Sequence, residues 1–278
     1  MTPAESVPYE VTIKTLAPVP PSNLPETDGQ PLETPWHRAC INLLIEAVKV
    51  SRADRRDFYV GGNMFVYFSS AQVRNRDYAG PDFFYAEGAD RDRPRPYWAV
   101  WDEGGQFPDM IIELISPTTA VIDRTTKKDL YERTFKLREY FCYDPESRLL
   151  EGWRMEGRRF KPIKPDATGR MWSETLSLWL GTWTGMYLET EDAWLRFYDA
   201  EGRVVPTRAE LEHQQAEAER RQAEAERQRA EAERQRADAA ARQAVEARQR
   251  AAAAEAEIAR LQRELDALRQ AGQAPPAG

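Results

Sequence analysis

An α/β body with a mixed sheet, followed by one long C-terminal α-helix, is the fold class that the sequence predicts. Three observations carry it. Every aromatic residue (eight Trp, eleven Tyr and ten Phe) lies at or before Tyr198, giving a body rich enough in large side chains to bury a core. Within that body, segments with helical spacing alternate with short apolar runs of strand character. From Thr207 onward the composition turns to Ala, Glu, Arg and Gln in seven-residue repeats, all strong helix formers. These boundaries divide the chain into a proline-rich arm over 1–31, a folded body over 32–207, a charged helix over 208–271 and a disordered tail over 272–278.

The elements follow in order. The arm carries one short candidate edge strand, Val11 to Ile13. Thr34-Pro35 supplies an N-cap followed by proline at the first helical position. Cys40, Ile41, Leu44, Ile45 and Val48 then share one helical face that ends near Ser51. Phe58 to Phe68 reads as strand with a Gly61-Gly62 break, and Asp82 to Ala86 as a short strand opened by Gly80-Pro81. Pro96 to Trp101 is another short candidate. Met110 to Ile115 is almost wholly apolar, as a buried central strand requires, and is interrupted only by Glu113. A Ser116-Pro117 turn leads to a polar helix from about Arg124 to Phe135. Strands at Glu139 to Tyr143, Leu149 to Met155 and Arg159 to Ile163, then segments at Thr175 to Trp183 and Trp194 to Tyr198, close the body.

The helix beyond Thr207 repeats QAEAERR, QAEAERQ, RAEAERQ and RADAAAR, with a good apolar seam only at its end, in Ile258, Leu261, Leu265 and Leu268. About 63 residues at 1.5 Å each would span roughly 95 Å. A solvated helix held by i,i+4 ion pairs competes with a coiled-coil homodimer nucleated at the C-terminal heptads, and the seam favours the dimer.

Several function classes are excluded or disfavoured. No run of 18 apolar residues exists, so no membrane-spanning helix is expected, and the N-terminus lacks a secretory pattern. Cys40 and Cys142 give neither a disulfide framework nor a CxxC knuckle, and two histidines cannot build a His-rich zinc site. A reducing, cytoplasmic setting is expected. The net charge is -7. The tail contributes about one negative charge of this, with 13 basic and 14 acidic residues, so the acidity belongs to the body, whose 26 basic residues face 32 acidic ones. That surface disfavours a phosphate backbone. The segment Arg91 to Arg95, with Arg74 and Arg76, offers either a local basic patch or an ordinary solvated loop.

Acidic residues isolated in apolar strands carry the chemistry. Buried as an uncompensated anion, Glu113 would be costly, so it must be protonated, paired or bound to a cation. Asp82 heads a neighbouring strand, and two such carboxylates can converge on Mg²⁺, or Mn²⁺ in its place. Lys127, on the helix after the Glu113 strand, is placed in sequence to return to that strand end and assist an attacking water. Structural alternatives stand beside each: Asp82 capping a turn, Glu113 paired with Arg138 or lying on an edge, Lys127 as a surface lysine.

The stretch from Pro108 to Trp153 resembles the Uma-type restriction endonuclease family of the PD-(D/E)xK nuclease-like superfamily, a bacterial family abundant in cyanobacteria. The resemblance rests on Glu113-Leu-Ile-Ser-Pro117, then Asp123, Lys127 and Tyr131 at four-residue spacing, then Glu139-Tyr-Phe-Cys-Tyr-Asp-Pro145. Upstream, Gly80-Pro81-Asp82 and Thr34-Pro-Trp-His37 match, so the likeness spans about 31–207. It implies a restriction-endonuclease-like mixed sheet flanked by helices, with Asp82 and Glu113 as metal ligands and Asp82, Glu113 and Lys127 as the catalytic set hydrolysing DNA phosphodiesters. The standard motif places lysine two residues after the glutamate, where this chain has Ile115; the helix residue Lys127 takes that role, with Lys128 a weaker substitute. Glu33 is a further acidic candidate, and Tyr131 either positions Lys127 or packs. The alternative is a catalytically inactive nuclease-like head on a coiled-coil rod, serving oligomerisation or partner binding.

Overall fold

The computed structural model describes residues 34–69 and 80–271, with side chains to residue 265. Val11 to Ile13, Glu33, Arg74 and Arg76 lie outside the described residues, as does the Leu268 side chain. The first helix, α1 (Pro35–Ser51), starts where the sequence places it: Thr34 is the N-cap, and its side chain accepts a hydrogen bond from the His37 amide at 3.3 Å. Its apolar face buries Cys40, Ile41, Leu44 and Val48.

The central sheet holds six strands: β1 (Asp57–Gly62), β3 (Phe83–Asp90), β5 (Met110–Leu114), β6 (Glu139–Asp144), β7 (Leu149–Glu156) and β8 (Arg159–Pro162), in that spatial order. Only the β5–β6 pair is parallel, so the sheet is mixed. A parallel neighbour requires a crossover, and the helix between β5 and β6 provides it. Two short strands, β2 (Val66–Tyr67) and β4 (Trp98–Ala99), pair separately in parallel. A three-stranded antiparallel sheet follows, from β9 (Met171–Ser173), β10 (Leu178–Tyr187) and β11 (Thr190–Tyr198).

Two cores result, one on each face of the central sheet. One joins α1 to β5, β6 and the second sheet through Phe83, Ile112, Phe141, Leu180 and Phe197; there Trp36 stacks on Trp194 at 5.7 Å between ring centroids. The other packs the crossover helix over Ile111, Tyr140 and Cys142. Both cysteines are buried and free, so neither forms the disulfide framework that the sequence also argued against.

The crossover helix, α2, covers residues 120–135 and so begins four residues earlier than its polar pattern suggests. It alternates α turns (Ala120–Ile122, Lys128–Leu130) with π turns (Asp123–Lys127, Tyr131–Phe135) and closes at Lys136, whose φ of 52° is left-handed. In a regular α-helix a four-residue repeat drifts around the axis; the wider i→i+5 turns offset that drift and keep Asp123, Lys127 and Tyr131 on one stripe.

The body ends in a capping box: the Thr207 amide donates to Glu210 at 2.7 Å and the Glu210 amide donates to Thr207 Oγ1 at 3.2 Å. It opens the last helix, α3 (Arg208–Ala271), of 64 residues. Among the described residues, those up to Leu211 form one compact unit and those from Glu212 another. Within the second unit the described side chains are exposed, with ion pairs such as Arg221–Glu217 and Arg250–Glu246 at i,i+4 spacing. Among the described residues no helix is long and apolar enough to cross a membrane.

Candidate active site

Glu113 sits one residue from the end of β5, in the middle of the sheet, with its side chain 1% exposed. Burial alone drives its carboxyl well above the ordinary range; Lys127 opposes that effect, while Asp82 and Asp123 add to it. Its partners are specific. Lys127 Nζ lies 3.0 Å from Oε2, and Tyr131 Oη donates to Oε1 at 2.8 Å. The expected alternative partner, Arg138, instead pairs with Asp109 at 3.0 Å.

Asp82 stands just before β3 and reaches the same strand end. Its Oδ2 accepts the Leu114 amide at 2.7 Å, and its own amide lies 3.4 Å from Glu113 Oε2. Gly62 makes room for this. A Cβ there would lie 2.4 Å from Ile41 Cγ2 and 2.8 Å from the Asp82 carbonyl oxygen, closer than a side chain tolerates, and that same carbonyl accepts the Asn63 amide at 3.1 Å. Burial raises the Asp82 carboxyl as well, countered by Lys127 and by the Leu114 amide.

Asp123 completes the cluster. Its side chain is 2% exposed, and Oδ1 lies 2.8 Å from Lys127 Nζ. Lys127 therefore bridges two buried carboxylates from a stripe of α2, itself 23% exposed. Burial disfavours its ammonium, but Glu113 and Asp123 outweigh that and hold its pKa above the usual lysine value, so it stays charged. On the opposite side, His37 Nε2 donates to the Leu114 carbonyl at 3.2 Å, and Thr34 Oγ1 lies 2.8 Å from Nδ1. The first turn of α1 is thus fastened to the strand end that carries the acids.

Lys127 thus meets Glu113 directly, and Asp82 is tied to the same strand end through the Leu114 amide and through its own amide beside Glu113 Oε2. Lys128 points elsewhere, with Nζ 3.7 Å from the centroid of the Trp153 ring. Tyr131 bonds to Glu113 rather than to Lys127. The Arg91 to Arg95 segment is not a free basic patch: Arg95 is tied to Glu103 at 2.8 Å, Arg93 lies 3.4 Å from the same carboxylate, and Asp92 pairs with Arg56 at 3.0 Å. Asp123 and His37 stand in the sequence motifs, but their contacts to Lys127 and to the Leu114 carbonyl emerge only in the structure; the four-residue spacing from Asp123 to Lys127 is the signal that the sequence offers.

The family comparison decides the class: the family described as "Uma2: Putative restriction endonuclease" matches residues 25–191, more than half of the chain. The chain belongs to the Uma2 family. A solved structure described as "a putative nuclease belonging to DUF820 from Anabaena variabilis ATCC 29413" aligns at 17% identity and a TM-score of 0.36, covering 50% of this chain and 73% of its own. No curated protein matches. For this Uma2 chain, the donor set suits a hard divalent cation. Asp82 and Glu113 offer carboxylate oxygens, and Asp82 Oδ1 accepts no hydrogen bond among the described residues. Three acids share one ammonium in a buried place; burial pushes Glu113 and Asp82 toward their neutral forms, and a bound cation would hold them ionised instead. No three His, Cys, Asp or Glu side chains among the described residues form a metal cage, so the fit is to a two-carboxylate site completed by water or phosphate oxygens.

Proposed function

We propose that this chain is a divalent-metal-dependent DNA endonuclease, with Asp82 and Glu113 holding Mg²⁺ or Mn²⁺ and Lys127 serving the reacting phosphate. One observation carries the reading: a lysine bridges Glu113 and Asp123, two almost fully buried carboxylates, beside a third carboxylate at the end of a central strand. A structural ion pair needs only one acid for one base, and the surplus carboxylates are what a cation site would require.

When bound, the cation would supply Lewis-acid polarisation of the scissile phosphate and a lowered pKa for the attacking water. The chain's own residues do the rest. Lys127 holds a fixed positive charge where negative charge grows on the phosphate oxygens, and Asp123 keeps that ammonium charged and oriented. Tyr131 fixes the rotamer of Glu113. His37, through the Leu114 carbonyl, holds the strand end in register. In the reaction the water oxygen bonds to phosphorus, the phosphorus–oxygen bond to one sugar breaks, and the products are a phosphate monoester and a free hydroxyl. Purified protein should cleave supercoiled plasmid with Mg²⁺ or Mn²⁺, stop in excess chelator and resume when the metal is restored. Equal cleavage with and without chelator would remove the metal from the account.

The exposed end of α3 favours a second property, a homodimer through the C-terminal helix. Ile258, Leu261 and Leu265 are 56%, 50% and 50% exposed at three- and four-residue spacing, an apolar seam with no cover among the described residues. Sedimentation of the full chain should give twice the monomer mass, and Leu261→Glu with Leu265→Glu should return it to monomer. Truncation after Glu212 should do the same while leaving the capping box and Glu210 in place. A monomeric full chain would leave α3 a solvated helix.

A further inference from the structure

The body is acidic overall, yet its positive charge is not evenly spread. Residues 153–164, at the β7–β8 hairpin, hold Arg154, Arg158, Arg159, Lys161 and Lys164 against Glu156 alone, a local net charge of +4 in a chain of net -7. Across from the hairpin tip lies the C-terminal end of α2, with Arg133 and Lys136. Together they line an open groove of about 690 Å³ whose one carboxylate, Glu132, is already engaged: it pairs with Arg159 at 2.8 Å and accepts the Phe160 amide at 3.0 Å. Lys136, Arg158, Lys161 and Lys164 are exposed and have no ion pair among the described residues. A separate groove of about 270 Å³, on the other face of the hairpin, holds Lys161 and Lys164 with Glu156 and Asp166 beside the indole pair Trp172 and Trp179, and Arg154 there is already paired with Glu139 and Glu174.

The register places this surface away from the acids. Leu114 pairs with Tyr143, and Tyr143 with Leu150, so the Glu113 end of β5 adjoins the start of β7. Met110 pairs with Glu139, and Glu139 with Arg154, so the hairpin tip lies toward the opposite end of the sheet. Unpaired cations there are not needed to balance the site, and clustering them costs mutual repulsion.

We infer that the β7–β8 hairpin and the end of α2 form a contact strip for the phosphate backbone of nucleic acid, led by Lys136 and Arg158. This extends the nuclease reading and rests on it for the choice of partner: a polyanion long enough to reach both places is what charge complementarity selects, and unpaired Lys and Arg release counterions from it on binding. The strip eases the conflict between an acidic body and a DNA substrate, since its unpaired cations offer a local attraction that the net charge hides.

The test is equilibrium binding of a fluorescent DNA duplex to the full chain by anisotropy, in chelator so that no cleavage occurs, across a salt series. Lys136→Glu with Arg158→Glu should raise Kd on the order of 10-fold near 0.1 M salt, and the neutral pair Lys136→Gln with Arg158→Gln should flatten the log Kd against log salt slope by about 2. Both positions are exposed, and unchanged circular dichroism confirms the fold. Binding by either double variant with wild-type affinity and slope overturns the strip, as does absence of binding by the wild type. Loss of binding in the variants, with no plasmid cleavage by the wild type, upholds the strip and sinks the nuclease reading instead.

Discussion

Lys127→Ala should lower the plasmid cleavage rate by about 10²–10³-fold, the size expected when a fixed charge aimed at a developing oxyanion is removed. The same change leaves Glu113 and Asp123 facing each other without their shared cation, 1% and 2% exposed. Removing one partner of a buried pair commonly costs about 3–5 kcal/mol. The fold should nevertheless survive, because burial already pushes Glu113 toward its neutral form and a proton can replace the lost ammonium. Lys127→Arg should not restore activity: a planar guanidinium cannot occupy the point where Nζ meets both carboxylates. Cleavage and thermal melting measured on the same preparations check both halves. An alanine variant that cleaves at the wild-type rate would leave Lys127 a purely structural ion-pair partner.

Arg196→Met should destabilise the body strongly although it keeps much of the side chain's apolar volume. The Arg196 side chain is fully buried, bidentate to Glu210 at 3.0 and 2.7 Å, bonded to the Val205 carbonyl at 3.0 Å, and 4.9 Å from the Trp183 ring centroid. It is also the grip that the body has on the capping box. Methionine keeps much of the apolar volume and loses every polar contact. Because Glu210 is a third exposed, solvent screening brings the cost below the fully buried-pair range, to about 2–3 kcal/mol, or roughly 5–10 °C in Tm for a body of this size. The bond from Arg196 and that from the Thr207 amide hold the Glu210 carboxyl below its ordinary value of 4.5, more than burial raises it. A depressed carboxylate contributes stability above its unfolded pKa and loses it as pH falls through its folded pKa. The Tm gap between wild type and Arg196→Met should therefore be full near neutrality and shrink below about pH 4. A gap independent of pH would mean that packing, not the ion pair, accounts for the loss.

Glu113 was legible because a lone acid in Met-Ile-Ile-Glu-Leu must be protonated, paired or bound to a cation once the strand is central. Arg196 in Trp-Leu-Arg-Phe-Tyr carries the same signal with the opposite sign; it passes for the solvent side of an alternating strand, although the strand is buried along that length. Asp123 was hidden differently. A carboxylate in the first turn of a helix reads as a helix-dipole partner, and its i,i+4 pairing with Lys127 reads as an ordinary helix-surface ion pair until both are seen to be turned toward the buried Glu113. The central strands matched their apolar runs, whereas β9 is three residues long and too short for any periodicity. The β10–β11 hairpin extends further than its apolar core because its turn is Leu188-Glu189, both at positive φ, where Asn-Gly would have announced it. The cations of residues 153–164 are as visible in the sequence as those of Arg91 to Arg95, but only the structure shows that the latter are spent on Glu103 and on the backbone of residues 52 and 55.

Glu113→Gln tests the central claim most directly, since it keeps the shape of the side chain and an oxygen for Tyr131 while removing the charge that a cation would need. Cleavage of plasmid DNA in Mg²⁺ should fall by at least about 10²-fold relative to wild type in a protein with an unchanged circular dichroism spectrum. Wild-type cleavage by the glutamine variant would contradict the account, because the acid at the centre of the proposed site would then have no part in the reaction.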